Sequence, residues 1–231
     1  MAKKRYNELK KKMEVDKVYG IDEGIQLILE TSTARFDESI DVAIQLGVDA
    51  KQSDQQVRGA LSLPHGLGKK VRVIVFAKGE HEEATKAGAD YVGAEDLVEK
   101  IKEGWLDFDR VIATPEMMPL VAKVAKILGP KGFMPSPKTG SVTTKIFKAV
   151  EDEKKGKASF RVEKNGILHT SIGKKSMGFE SLKKNYLSLA GEVIKQKPKS
   201  SKGIYLKSIF MSASMGPSVG LNISETQNEA I

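Results

Sequence analysis

Residues Glu38 to Leu46 alternate strictly, with Ile40, Val42, Ile44 and Leu46 on one side and Ser39, Asp41, Ala43 and Gln45 on the other. Side chains of an extended chain point alternately to opposite faces, so this segment is expected to be a strand with one buried face. Val57 to Leu63 repeats the pattern, with Val57, Gly59, Leu61 and Leu63 sharing a side. Ahead of both, Lys3 to Lys12 has the basic, polar character of a surface helix. Asp22 is the expected N-cap of a second helix, whose Ile25, Ile28 and Leu29 fall on one face.

The pattern changes after Pro64-His65-Gly66-Leu67-Gly68-Lys69-Lys70. Val71 to Ala77 is almost continuously apolar, as a strand covered on both faces would be. Helix Glu80 to Ala87, strand Tyr91-Val92, helix Ala94 to Glu103, strand Arg110 to Ala113 and helix Glu116 to Leu128 then alternate. Such alternation predicts a small parallel α/β sheet. Half-buried alternation returns after Lys154-Lys155-Gly156-Lys157, at Ala158, Phe160 and Val162. An Asn165-Gly166 turn and Ile167 to Ile172 follow, a hairpin signature. An amphipathic helix, Glu180 to Lys195, and a last strand, Gly203 to Ala213, complete the pattern.

The two ends of the chain are alike and the middle differs. The expected fold is therefore α/β and α+β in two domains: a split α+β domain, residues 1–67 and 157–231, with an α/β domain, residues 68–156, inserted. Both connections are basic and contain glycine, so Gly66, Gly68 and Gly156 are candidate hinge positions.

Composition narrows the partner. The 231 residues carry a formal net charge of +8, from 38 basic and 30 acidic side chains. An excess of this size points to an acidic partner such as nucleic acid or anionic lipid. Arginine appears only at Arg5, Arg35, Arg58, Arg72, Arg110 and Arg161; the other basic residues are lysines, which suit phosphates better than base edges. Cysteine is absent, which removes disulfides, thiolate metal sites and cysteine nucleophiles. Met1-Ala2-Lys3-Lys4-Arg5 leads into more charge rather than an apolar run, so no signal peptide is expected, and no stretch is long and apolar enough for a membrane span.

Candidate chemistry is sparse. His65 to Lys70 lacks the glycine and the serine or threonine that a phosphate loop requires at its ends, and it precedes a strand. After the first α/β strand, Lys78-Gly79 leads into acidic Glu80, Glu82 and Glu83, which would repel a dinucleotide. His65, His81 and His169 are scattered, so no metal or triad constellation is expected. Three segments suit RNA instead. Arg35-Phe36-Asp37-Glu38-Ser39 sets an aromatic beside a cation, as a stacked base and a phosphate would need, or as a core phenylalanine would also show. His169 and Thr170 lie on a polar strand close to Lys174, offering hydrogen bonds to ribose and phosphate or simply facing solvent. Ser214-Met215-Gly216-Pro217 is either a close backbone approach to a ligand or a plain turn. Finally, Leu128-Gly129-Pro130-Lys131-Gly132-Phe133-Met134-Pro135-Ser136-Pro137-Lys138 ends a helix in a rigid corner, as a buttress or as a basic contact loop.

Taken in order, GPKGFMPSPK, Val57-Arg58-Gly59 with Leu63-Pro64-His65-Gly66, and Ser214 to Ser218 resemble the ribosomal L-one family of the large subunit's mobile stalk, in its bacterial form. The resemblance covers nearly the whole chain. It implies a two-layer split α+β domain with a Rossmann-like three-layer α/β insertion. It also implies a non-enzymatic, cytoplasmic, ribosome-bound protein without cofactor or metal, a monomer when free, with no membrane partner. Implied partners are large-subunit rRNA, the large ribosomal subunit, exit-site tRNA and the protein's own operon mRNA, whose translation it would repress. The RNA surface carried over by the resemblance is Arg35, Phe36, Ser39, His169, Thr170, Lys174, Ser214, Met215 and Gly216, with Lys131 and Lys138 as secondary contacts. Where the family often has threonine, this chain has Ser39 and Ser214. The competing function is a nucleotide-dependent enzyme using the α/β domain.

Overall fold

The computed structural model describes residues 2–11, 13–14, 17–52, 54–79 and 81–230; the side chains at 2, 3, 81–83 and 138 lie outside the description, and with them those expected of His81, Glu82, Glu83 and Lys138. Along the chain run α1 (Ala2–Lys11), β1 (Val18–Tyr19), α2 (Ile21–Thr31), β2 (Ser39–Leu46), β3 (Arg58–Ser62), β4 (Val73–Phe76), α3 (His81–Lys86), β5 (Tyr91–Gly93), α4 (Glu95–Lys102) and β6 (Arg110–Ala113). They are followed by α5 (Met118–Ala122), α6 (Ala125–Leu128), α7 (Ile146–Lys154), β7 (Lys157–Arg161), β8 (Ile167–Lys174), α8 (Gly178–Lys195), β9 (Leu206–Ala213), β10 (Ser218–Leu221) and α9 (Ile223–Ala230). The chain divides into two compact units, Met1–Gly68 with Ala158–Ile231, and Lys69–Lys157.

In the first unit, five strands pair in the order β1-β10-β9-β2-β8. The alternation of β2 is realised: Ile40, Val42, Ile44 and Leu46 are buried with Leu168, Ile172, Ile209 and Met211 of the neighbouring strands. Ile25 and Ile28 of α2 and Leu182, Tyr186, Leu189 and Val193 of α8 complete this core. Full burial of such a side chain is worth about 1.5–3 kcal/mol, so the layer of helices holds one face of the sheet firmly. Gly24 allows the close approach of α2, since a Cβ there would lie 2.4 Å from Leu221 Cδ2. The Tyr186 hydroxyl, 2.8 Å from Thr226 Oγ1, ties α8 to α9, and burial pushes its pKa up to about 12.

Helix α2 begins at Ile21 with Gly20 as N-cap, and the Ile21 N–H donates to Glu225 Oε1 of α9 at 3.2 Å. Asp22 sits instead in the first turn, where it favours the helix dipole and pairs with Lys183 of α8 at 2.6 Å. The expected hairpin is only half formed. Gly166, with φ 76, does make the turn, and the Glu163 N–H donates to Ile167 O at 2.9 Å. Beyond Val162 and Leu168 the strands part: β8 pairs with β2, while β7 joins β3 in a separate two-stranded sheet. A turn fixes where the chain reverses, whereas the choice of partner follows the larger buried face, here the seven residues of β8 that pair with β2.

In the second unit, β5, β4 and β6 are parallel with β4 central, and all four residues of β4 are buried. Ile74 and Phe76 pack with Leu97, Val98 and Ile101 of α4 and with Val121 and Leu128. Val73 and Val75 pack with Ala84 of α3 and Ile146, Ala149 and Val150 of α7. Both faces are covered, which accounts for the unbroken apolar run. The expected single helix Glu116 to Leu128 is a 3-10 turn, Pro115–Met117, followed by α5 and α6, with Lys123 and Val124 outside both. Lys123, Val124 and Ile127 all bond three residues back, tightening the turn so that Val121, Val124 and Leu128 all point inward.

Candidate RNA-binding surface

At one end of the five-stranded sheet, Ser39 opens β2, Lys174 closes β8 and Ala213 closes β9. The register pairs Ser39 with Lys174 and Ile40 with Ala213, so three segments far apart in sequence meet on one rim. Ser214 is stitched to Ser39 by backbone and side chain: its N–H donates to Ser39 O at 3.0 Å, and the Ser39 N–H donates to Ser214 Oγ at 3.2 Å.

Beneath the rim lies Glu38, 1% exposed. Its carboxylate accepts from the Ala34 N–H at 2.8 Å and from the Met215 N–H at 2.9 Å, joining the loop before β2 to the turn after β9. With their backbones held in this way, the adjacent side chains turn outward. Phe36 is 55% exposed and Met215 48%, and Arg35 is exposed, which excludes a core role for Phe36. Arg5 of α1 donates to Met215 O at 3.3 Å, bringing another cation to the turn.

The lysines are not equivalent. Lys175 turns inward and donates to Ser32 O. Lys174 lies 3.8 Å from Asp37, whose carboxylate accepts from Ser176 Oγ at 2.7 Å and Ser176 N at 3.0 Å. The Ser176 hydroxyl, helped by that N–H and the two lysines, holds the Asp37 carboxyl below its usual range. Lys174 is half-exposed, and its 3.8 Å pairing with this surface carboxylate is weak.

His169 and Thr170 separate. Adjacent strand residues face opposite ways, and Thr170 pairs with buried Val42 on the helix-covered side. His169 is exposed on the open face, opposite Ala43 and four residues inward from the rim, about 13 Å at ~3.3 Å per residue. Two rows cross this face: Ser212, Asp41 and Ser171, then Phe210, Ala43 and His169. Asp41, Ser171, Ser212 and Phe210 were not among the candidates drawn from sequence, although the polar half of the β2 alternation already marked that side. Gly216 has less open space than expected, since a Cβ there would come within 3.3 Å of Ala213 Cβ.

The signature run Leu128 to Lys138 lies in the second unit and is anchored inward. Phe133 packs at a tilt on Phe108, centroids 5.4 Å apart, and the ring contacts continue through Trp105 to Tyr91. Thr139 Oγ1 donates to Ser136 O at 3.0 Å, and the Ser136 N–H donates to Ser141 Oγ at 2.9 Å, closing the corner that follows. Lys131 is exposed at the turn. The depression where β4 and β6 end, lined by Lys78, Thr114, Glu116 and Thr144, encloses about 190 Å³, below the roughly 300–1,000 Å³ of ligand pockets. Among the described residues, no group of three or more histidine, cysteine or acidic side chains is placed to hold a metal, and no helix is long and apolar enough to cross a membrane.

Of the hinge candidates, Gly66 is clamped rather than loose. Buried Asn185 donates to Gly66 O at 2.9 Å and to Ile172 O at 2.8 Å, and accepts from the His65 N–H at 3.1 Å. Gly68 and Gly156 hold positive φ of 65° and 95° next to the two places where the chain passes between the units.

The chain is 60% identical over 220 residues to the large ribosomal subunit protein uL1 of Bdellovibrio bacteriovorus, covering 95% of this chain and 94% of that protein. The model of the ribosomal protein L1p/L10e family matches residues 28–217, a span from α2 to the turn after β9 that includes the whole rim. The chain belongs to the ribosomal protein L1p/L10e family.

Proposed function

We propose that the rim of the five-stranded sheet, with Arg35, Phe36, Ser39, Lys174, Ser214, Met215 and Gly216, is the principal surface by which this protein grips large-subunit rRNA, with His169 extending it along the open face. Membership of the family makes the chain a non-enzymatic ribosomal protein of the large subunit, working on the ribosome in the cytoplasm, and removes the nucleotide-dependent enzyme as a reading. The observation that supports the rim is Glu38: a buried carboxylate fixes two loops so that an aromatic, a methionine and cations face solvent together. Such a surface suits folded RNA, which is read through shape, sugar and phosphate contacts and splayed bases stacked on aromatic rings.

The same surface serves the further roles that the resemblance implies. The split α+β unit holds the RNA, and the inserted three-layer α/β unit pivots at Gly68 and Gly156, so that Lys131 and Lys138 make secondary contacts. Movement and release of exit-site tRNA use that pivot, and repression of the protein's own operon uses an mRNA structure that imitates the rRNA site. The free protein is a monomer. Capture of RNA from lysate followed by sequencing tests these roles together: one rRNA segment plus one leader mRNA is the expected yield, and unselective RNA would reduce the surface to generic basicity. For Z phosphate contacts, log affinity should fall against log salt with a slope of about 0.9Z, and a flat salt response would refute the electrostatic part.

A further inference from the structure

On the open face of the sheet, Phe210 is 46% exposed, and its neighbours across the strands are the two smallest side chains on that face, Ala43 of β2 and Gly220 of β10. The ring lies along Gly220, where a Cβ would stand 3.5 Å from Phe210 Cε1, and leaves its outward side to solvent. Beside it, α1 forms the far wall of a groove of about 420 Å³ over β9 and β10. Tyr6, itself 41% exposed, lines the groove, and Lys10, Lys17 and Lys207 surround it with Glu14 as the opposing charge. The floor continues through Pro217 and Ser218 into the turn at Met215, to which α1 is fastened by Arg5.

We infer that this groove is a second RNA site, in which an unpaired base of a single-stranded segment stacks on Phe210 while Lys10, Lys17 and Lys207 take the flanking phosphates. Bare aromatic faces within a lysine-lined channel are how single strands are bound without sequence preference, because every base has a π-face. The inference rests on the RNA-binding rim, since continuity with that turn is what would deliver the strand. Among the described residues that line the groove, Lys10, Lys17 and Lys207 outnumber Glu14, with Glu23 lying 3.7 Å from Lys17, and this balance favours a polyanion over an apolar peptide.

The test uses the full chain with two probes, a large-subunit rRNA fragment and oligoadenylate of about eight nucleotides. Phe210→Ala should weaken oligoadenylate about fivefold to a hundredfold, the effect of losing one stacked base, with thermal stability kept. Gly220→Val, which crowds the Phe210 ring and the groove floor, should also weaken it. Phe36→Ala should instead weaken the rRNA fragment more than the oligonucleotide. Overturning results are an unaltered chain with no saturable oligoadenylate binding, or variants that bind it unchanged while the rRNA fragment is held normally. A Phe210-dependent dimer in sedimentation would also overturn it by assigning the face to a second copy. Failure of the unaltered chain to hold any rRNA fragment would instead defeat the rim itself.

Discussion

The turn Ser214–Gly216 and the run Leu128–Lys138 are both exits from regular structure punctuated by glycine and proline, yet they turn their large side chains in opposite directions. In the second unit the chain bends back so that Phe133 reaches Phe108, and the exposed Lys131 is left at the tip of a loop whose identity is set by packing. In the first unit the turn is held from below by Glu38, and Met215 points out. A distinctive motif thus marks where the chain has least freedom, which need not be where a partner binds. An outward-facing contact surface needs a buried support, and that support is the feature to look for.

The comparison breaks most sharply at Glu38. Glu38→Ala leaves the N–H groups of Ala34 and Met215 without their acceptor, at a cost of about 1–3 kcal/mol for each that stays buried. Denaturant unfolding should register that loss, and rRNA affinity should fall with it because the loop and turn come apart. Phe133→Ala should have the opposite profile. A half-buried ring costs less than the roughly 3–5 kcal/mol of a fully buried phenylalanine, so a loss of about 2 kcal/mol in the second unit is expected. Binding of the rRNA fragment to the rim should be preserved, and equal losses of stability and binding would erase the distinction drawn between the two regions.

Smaller effects sharpen the rim itself. Phe36→Ala should reduce affinity by about 1–3 kcal/mol without changing the melting temperature, as expected for a stacking side chain that supports no core. Met215→Asp, which sets a negative charge beside the backbone, should also weaken the complex; unchanged binding in both variants would dismiss the rim.

The smallest effect concerns pH in the second unit. Burial raises the Glu153 carboxyl above its ordinary range, with Arg110 at 3.3 Å only partly opposing it. A folded value above the unfolded one means that the contribution of Glu153 is complete in acid and is lost as pH rises through the folded value. Relative to the parent, Glu153→Gln should therefore be better tolerated at about pH 7 than at about pH 4, measured as the difference in melting temperature.

The fold was largely legible because burial writes a period into sequence. The two-residue alternation of β2 and the unbroken run of β4 state which faces are covered, and both elements stand where expected. Errors arose where a distant partner outweighed the local signal. Glu225 on α9 took the capping role expected of Asp22, β2 drew β8 away from β7, and Val121, Val124 and Leu128 bent a helix to reach their core. Strands β1 and β10 and helices α7 and α9 have no counterpart among the elements expected from sequence.

The sequence alone determined that this chain has an apolar-in, polar-out strand layer, a buried parallel sheet, a basic surface rich in lysine and a family signature, since each of these is a property of residue order and composition. Which of the candidate residues lie together follows from the three-dimensional fold. Strand pairing brought Ser39, Lys174 and Ser214 to one rim, put Thr170 on the opposite side from His169, and set Glu38 beneath Phe36 and Met215. Register and burial are relations between segments far apart in the chain, and no local pattern encodes which of two faces a partner strand will present.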